Sequence, residues 1–508
     1  MSNLIVCCDG TWNTREQQEG GLTSPTNVVR LYNALADVDV QGKPQDKYYH
    51  SGVGAEGNLV ERLLGGGVGR GLSKNIQSAY KWLCSHYHTG DKIFLFGFSR
   101  GAFTVRSLAG MILHCGLLNT RKLPETDRRE RIDKAFQAYR NKISRDQWAD
   151  SWEFHNFGTT GLEPVIHFLG VWDTVGALGI PDDLGLLNLL DKPQNYAFHS
   201  TDLKDTIHHA RHAVAMDEMR GSFSPTLWNP PISHPDAKEL WFPGVHCDVG
   251  GGYLACGLSD AALAWMMDEA EQQGLCCNPA MRSQLQPYYQ GGKHDTLSYV
   301  YEKILYHQPR NVPNIGATSS FHASATKRHQ DPPINQAPYW RTVDLLPGQS
   351  KRVTIYARKP WNRTCIYLDA GGEYAFKADG LWKDFYVESG PEGVTPVWSN
   401  PKHWMYLLAQ QLELIGRLLQ ACTLVSSLKL GITRREPDKP WFSLVGVVAN
   451  GGNPQLDGTP APHETFLIGR ESTFKVQQPG YMWCFANDCW HGYGNNQHST
   501  SLLVTRIL

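Results

Sequence analysis

One stretch constrains the fold of this chain more than any other. Lys92–Phe96 is an apolar run of the buried-strand kind, and Gly97-Phe98-Ser99-Arg100-Gly101 follows it directly, ahead of a helix-compatible segment through Leu113. Glycines two residues either side of a serine let the backbone pass from strand to helix in one tight turn, which holds the hydroxyl exposed at the carboxyl end of the strand. The five residues alone also describe a helix-capping serine on an ordinary turn. The flanking strand and helix distinguish this case. The backbone N–H of Arg100, at the helix start, is then placed to stabilise an oxyanion.

Three further runs repeat the pattern. Leu4–Cys8 closes on Asp9-Gly10-Thr11, Val165–Trp172 ends at Asp173, and Leu240–Val245 ends at His246. Helical patterns intervene at Ser73–Ser85 and Ser259–Gln273. Buried strands alternating with helices predict an α/β fold with a mainly parallel sheet covered on both faces. A serine hydroxyl is a weak nucleophile and needs a base, itself oriented by a carboxylate. The chain order serine, acid, histidine, each at a strand end, is that of an α/β-hydrolase. It makes Ser99 the nucleophile, Asp173 the acid and His246 the base. Asp248 is the alternative acid, but its closeness in sequence to His246 suits a supporting role. Asp9-Gly10-Thr11 should reach the same sheet edge, where its backbone offers a second oxyanion donor and Asp9 organises the loop; Asp-Gly is also an everyday turn.

Other clusters carry less. Gly65-Gly-Gly-Val-Gly-Arg-Gly71 lacks both the phosphate-loop ending and dinucleotide spacing, and reads as a flexible loop beside the site. His208 and His212 form an i, i+4 pair if helical, with His209 beside them, but no glutamate follows the first in zinc-protease fashion; packing or hydrogen bonding is the expected role.

At 508 residues the chain is too long for one core. After about residue 350 the texture changes to short β-rich runs between Gly and Pro turns: Arg352–Ala357, Cys365–Leu368, Glu373–Ala378, Phe442–Val448, Phe466–Gly469, Met482–Phe485 and Ser501–Val504. This predicts an all-β sandwich over 349–508, after a catalytic unit over 1–348. An amphipathic helix over Lys402–Leu424, with Leu408, Leu412, Ile415 and Leu419 on one side, interrupts it and is expected to pack on the protein. With 48 basic and 49 acidic residues, nothing points to nucleic acid. The N-terminus has no basic region followed by a long apolar run, so synthesis without a signal peptide is expected. Twelve cysteines in so long a chain do not make a disulfide scaffold, and their usage fits a reducing cytoplasm.

Four motifs in order, Cys8-Asp-Gly-Thr-Trp-Asn13, Phe96-Gly-Phe-Ser-Arg-Gly-Ala102, Gly170-Val-Trp-Asp-Thr-Val175 and Phe242-Pro-Gly-Val-His-Cys-Asp-Val-Gly-Gly-Gly-Tyr253, resemble the bacterial hydrolase family that includes the first class of type VI secretion lipase effectors. His209-Ala-Arg-His-Ala-Val-Ala-Met-Asp-Glu218 adds to the likeness, which spans roughly 1–345. The resemblance implies phospholipase or carboxylesterase activity, the triad on Ser99, Asp173 and His246, and no cofactor for catalysis. It further implies a phospholipid or membrane surface, a secretion spike and an immunity protein as partners, and delivery into a target-cell periplasm.

Phe485-Ala-Asn-Asp-Cys-Trp-His-Gly-Tyr-Gly-Asn-Asn-Gln497, and more weakly Gly371–Trp382, resemble the calcium-dependent galactose-binding bacterial lectins. That likeness implies a calcium ion on Asp488, Asn495 and Asn496, with backbone carbonyls near Phe385 and Gly492, and a glycan completing the shell; oxygen-only ligands on a turn suit calcium. The helical insertion departs from the family pattern. An Asx-rich turn without an ion, or a sandwich kept to contact a protein, stays open at this point. So do two alternatives for the whole chain: a soluble carboxylesterase on small or polymeric esters, and a glycan-binding adaptor with an inactive hydrolase domain.

Overall fold

The computed structural model describes residues 1–508 apart from 11–12, 14–15, 53–67, 150, 159–160, 162, 177–202, 229–233, 297–305, 318, 412–432 and 454–459. Eight strands precede residue 300: β1 Asn3–Cys8, the hairpin β2 Gln18–Glu19 and β3 Leu22–Thr23, then β4 Gln45–His50, β5 Lys92–Phe98, β6 Ile166–Trp172, β7 Ile207–Ala215 and β8 Ala237–Phe242. Six of them form a sheet in the order β4-β1-β5-β6-β7-β8, and every neighbouring pair is parallel.

The alternation of side chains along β1 shows why both faces are covered. Leu4, Val6 and Cys8 join a core with helices Val68–His86, Arg100–Cys115 and Glu125–Asn141, while Ile5 and Cys7 join a second core with helices Asn27–Ala34 and Gly257–Glu271. Two strands defeat a reading by periodicity. The edge strand β4 is Gln-Asp-Lys-Tyr-Tyr-His and mostly half-buried. β7, Ile-His-His-Ala-Arg-His-Ala-Val-Ala, is largely buried. Its Arg211 is held by Asp236 and Glu269, and its His212 by Glu239. The i, i+4 helical pair of His208 and His212 is therefore corrected to two positions on a strand. Among the described residues no group of three His, Cys, Asp or Glu side chains forms a metal site.

The remaining strands are β9 Val343–Asp344, β10 Ser350–Tyr356, β11 Asn362–Leu368, β12 Glu373–Asp379, β13 Trp382–Asp384, β14 Val387–Ser389, β15 Leu444–Ala449, β16 Glu464–Leu467, β17 Glu471–Lys475, β18 Gly480–Ala486 and β19 Asn496–Arg506. One sheet runs β14-β13-β19-β12-β17, with β10 also on β19; the other runs β16-β15-β18-β11-β9. This is the expected C-terminal sandwich. Tyr374, Phe376, Trp382, Leu502 and Val504 meet Ile366, Leu444, Val448 and Met482 in the core between the sheets. The second sheet is covered on its outer side too, because Val445, Val447, Tyr481, Trp483 and Phe485 pack with Val214, Met216, Trp241 and Val312 of the preceding unit. Hence β15 and β18 are buried at every position rather than at alternate ones.

In the expected insertion helix, residues 404–411 are helical. The side that packs is corrected: Tyr406 and Ala409 meet Val387, Val394 and Trp441, whereas Leu408 is 57% exposed. Leu412, Ile415 and Leu419 lie outside the described residues, as do Gly65–Gly67 of the glycine cluster, whose remainder opens helix Val68–His86. Every described cysteine is a free thiol, and among the described residues no helix is long and apolar enough to cross a membrane.

Candidate active site

Parallel strands present their carboxyl ends on one edge of a sheet, where open α/β sheets bind ligands. Asp9 follows β1, Ser99 follows β5, Asp173 follows β6, and the loop after β8 leads to His246. Ser99 sits at φ 57° and ψ −124°, a conformation that costs an L-residue about 1–3 kcal/mol and persists only where the surroundings enforce it. Gly97 and Gly101 show how. A Cβ on Gly97 would lie 2.5 Å from the Gly101 carbonyl oxygen, and one on Gly101 would lie 2.2 Å from that of Cys8. Only hydrogen fits at either place.

Asp173 is fully buried, and its Oδ2 accepts the Nδ1–H of His246 at 2.5 Å. That bond leaves Nε2 as the basic nitrogen. The His246 ring is packed between Phe98, the neighbour of Ser99, at 4.5 Å and Phe223 at 4.8 Å. The Ser99 carbonyl accepts from the N–H of Val175 at 3.4 Å, tying the serine turn to the aspartate turn. The predicted serine, acid and base thus lie on adjoining turns of one sheet edge. Burial acts to raise the Asp173 carboxyl. The Arg310 charge and the bonds from His246 and Arg310 outweigh it, holding the group well below the usual carboxylate range. Burial lowers the His246 imidazole, with Asp173 opposing.

Sequence reasoning missed three members of this site. Arg310 grips Asp173 in a fork, Nη1 to Oδ1 at 2.6 Å and Nη2 to Oδ2 at 2.9 Å. Glu218 accepts the backbone N–H of His246 at 3.3 Å and two bonds from the Arg220 guanidinium. Although burial raises Glu218, its Arg220 partner lowers it to about 2. Glu218 closes a motif with a visible familial likeness; Arg310 stands alone in sequence, with no signal around it.

The supporting residues divide. Asp248 does not reach Asp173's place. It accepts the N–H of Val245 at 3.0 Å and pairs with His294 at 2.6 Å, fixing the turn into the short helix His246–Gly250. Asp9 accepts from the Thr26 and Tyr49 hydroxyls at 2.8 and 2.9 Å, and burial raises its carboxyl to about 6. Gly10 lies over the serine, since a Cβ there would be 3.2 Å from that of Ser99. Its N–H, however, donates to Asp9 Oδ1 at 2.7 Å. The expected second oxyanion donor is therefore not Gly10, and Thr11 lies outside the described residues. Arg100 opens helix Arg100–Cys115 as expected.

In the sandwich, Asp488, Asn495 and Asn496 come together at the start of β19. Asn496 Nδ2 donates to Asp488 Oδ2 at 2.9 Å, while Asn496 Oδ1 is buried without a partner. Asp384, which the sequence did not single out, joins them through bonds from Asn495 and the Tyr406 hydroxyl. Burial and the Asp384 charge push Asp488 up to about 7.

Residues 2–269 match the family described as "T6SS, Phospholipase effector Tle1-like, catalytic domain". An uncharacterized protein of Saccharomyces cerevisiae is 32% identical over 248 residues, 45% of this chain and 33% of that protein, so the chain spans about a third of this curated relative. Among solved structures, the Tle1 effector bound to the VgrG spike of the type 6 secretion system is 17% identical, covering 50% of this chain and 51% of that one at a TM-score of 0.31. The N-terminal domain of EclA, a PllA-like lectin, is 15% identical over 30% of this chain and 94% of that one, at a TM-score of 0.18. With its matched segment covering the whole parallel sheet, the chain belongs to the Tle1-like family of type VI secretion phospholipase effectors.

Proposed function

We propose that the chain hydrolyses acyl esters of glycerophospholipids through a Ser99–Asp173–His246 triad. The observation that carries this reading is the strained serine turn lying beside a buried His246–Asp173 pair, inside the matched catalytic domain. His246 Nε2 takes the proton of Ser99 as its Oγ attacks the ester carbonyl, and then protonates the departing alcohol. The N–H of Arg100, at the start of helix Arg100–Cys115, holds the oxyanion. Water then releases the fatty acid. The test is fatty-acid release from phospholipid vesicles by wild type and Ser99→Ala; equal release by both would overturn the proposal.

The pH dependence has a defined sign. Burial keeps His246 below its ordinary pKa of 6.5, so the base stays neutral at pH 6.5. The acid limb of kcat/KM is expected below that value, and a limb centred above pH 7 would contradict the assignment.

The division into a hydrolase unit over 1–348 and a sandwich unit over 349–508 belongs to the same proposal, with the sandwich bringing the enzyme to a glycan-bearing surface or a delivery partner. Family membership supports secretion-spike and immunity proteins as partners. Asp384, Asp488 and Asn496 fit a calcium ion, because two carboxylates face each other beside an unpartnered amide oxygen; Asn495 and nearby backbone carbonyls would complete the shell. Calcium would neutralise the pair there and take no part in ester cleavage. Asp488 titrates higher folded than unfolded, so its stabilising contribution is complete below about pH 4 and lost as pH rises through about 7. Calcium is therefore expected to raise Tm more at pH 8 than at pH 5, and Asp488→Asn to abolish that difference. An unchanged wild-type Tm with calcium at pH 8 removes the ion from the proposal.

Similarity to a yeast protein supports a second reading of biological role, one outside bacterial secretion. The ester chemistry is common to both. Cleavage of p-nitrophenyl esters with no release from vesicles would select the soluble carboxylesterase, and silence on both would select the glycan-binding adaptor.

A further inference from the structure

Arg310 lies outside the segment that matches the family, yet it makes the only guanidinium contact with Asp173 among the described residues. Its Nη1 also donates to the Ala215 carbonyl at 2.7 Å and its Nη2 to that of Phe223 at 2.6 Å. Four donor–acceptor contacts aim one buried charge. The residues around it belong to no helix or strand, so a chain of this kind must be held from outside; ordering a free residue costs about 1–2 kcal/mol.

The holding comes from two sides. Toward the parallel sheet, the Tyr306 carbonyl accepts from Gly221 at 3.0 Å, and the N–H of Gln308 donates to Met219 at 2.7 Å. Toward the sandwich, the Trp361 indole N–H donates to the His307 carbonyl at 2.8 Å, and His463 Nε2–H donates to that of Pro309 at 3.0 Å. Asn311 donates to the Asn450 carbonyl at 3.1 Å. Trp490 meets Tyr306 edge to face at 4.9 Å and His307 at a tilt at 5.2 Å. The residues on both sides of Arg310 are thus gripped by the sandwich while Arg310 itself turns inward.

We infer that Arg310 is a positioning residue for Asp173, and that the sandwich takes part in catalysis by gripping the strap that delivers it. The inference rests on the triad reading above. The fork fixes the plane of the carboxylate so that Oδ2 faces His246 Nδ1–H. It also places a positive charge close to the imidazole. The other charged or titratable groups acting on this pair are Glu218 and Arg220 after β7, which act on His246, and Cys247 beside His246, which faces Asp173. Loss of Arg310 removes the guanidinium that opposes the Asp173 charge, so the imidazolium gains stability.

The experiment uses the full chain and a small soluble p-nitrophenyl ester, so that surface binding does not enter. Arg310→Met is expected to lower kcat about 100-fold, the scale of an ångström's misplacement, with KM little changed and the acid limb of kcat/KM moved to higher pH. Arg310→Lys recovers part of the rate. Trp361→Phe and His463→Ala, which loosen the grip, lower kcat about 10-fold and move the limb the same way. Arg470→Ala, at an exposed ion pair on the sandwich, changes neither. A folded Arg310→Met with wild-type kcat and pH profile overturns the inference. Should that variant fail to fold, Arg310→Lys and the grip variants decide in its place: wild-type rates and profiles in all three overturn it. Wild-type rates in the grip variants alone overturn the part assigned to the sandwich. Ser99→Ala is run alongside. Activity in it sinks the triad reading itself, whereas an inactive Ser99→Ala beside a fully active Arg310→Met sinks only the role of Arg310.

Discussion

Ser99→Ala is expected to lower kcat/KM for ester hydrolysis by a factor of about 10⁴ or more while leaving the fold in place. The hydroxyl makes no capping bond to the helix it precedes, so its removal takes away a nucleophile and leaves that helix start unchanged. The backbone strain gives the prediction a second arm. At φ 57° and ψ −124° alanine is as strained as serine, whereas glycine is not. Ser99→Gly should be inactive and more stable than wild type, by about 1 kcal/mol or more. Urea denaturation beside a vesicle assay reads both arms. An inactive but destabilised Ser99→Gly would mean that the turn is not a strained one.

The largest effect on stability is expected at Gly101. A Cβ there would sit 2.2 Å from the Cys8 carbonyl oxygen and 2.5 Å from that of Asp9. These atoms belong to the backbone at the end of a central strand, which cannot swing aside as a side chain does. Gly101→Ala must push helix Arg100–Cys115 off the sheet or displace the Asp9 loop, and the destabilisation should reach about 3 kcal/mol or more. Gly292→Ala is the matched control, because a Cβ there meets nothing within 4 Å; its effect should stay within about 0.5 kcal/mol. Equal denaturation midpoints for the two variants would show that the close approach of helix and strand is not what Gly101 secures.

Both predictions concern residues that announce themselves locally. That Ser99, Asp173 and His246 reach one sheet edge was legible because each follows an apolar run and parallel strands end on one side. The change of texture near residue 350 likewise revealed the sandwich, through short strands and turn residues that act over a few positions. Local pattern misled where burial was settled by something distant. β7 carries histidines and an arginine because Asp236, Glu239 and Glu269 neutralise them from other elements. Leu408 is exposed although the helical period placed it inward, since Tyr406 is drawn to Trp441 and Asp384.

The amino-acid sequence by itself determined the two fold classes, the turn that strains Ser99 and the strand ends that Asp173 and His246 follow, since propensity, turn chemistry and periodicity operate within a few residues of the chain. Tertiary structure alone decided which donor turns away from the serine, as Gly10 does toward Asp9, and which cation meets Asp173. Arg310 lies 137 positions from that carboxylate. A charge acts across space rather than along the chain, so its partner is set only when the strap is closed between sheet and sandwich.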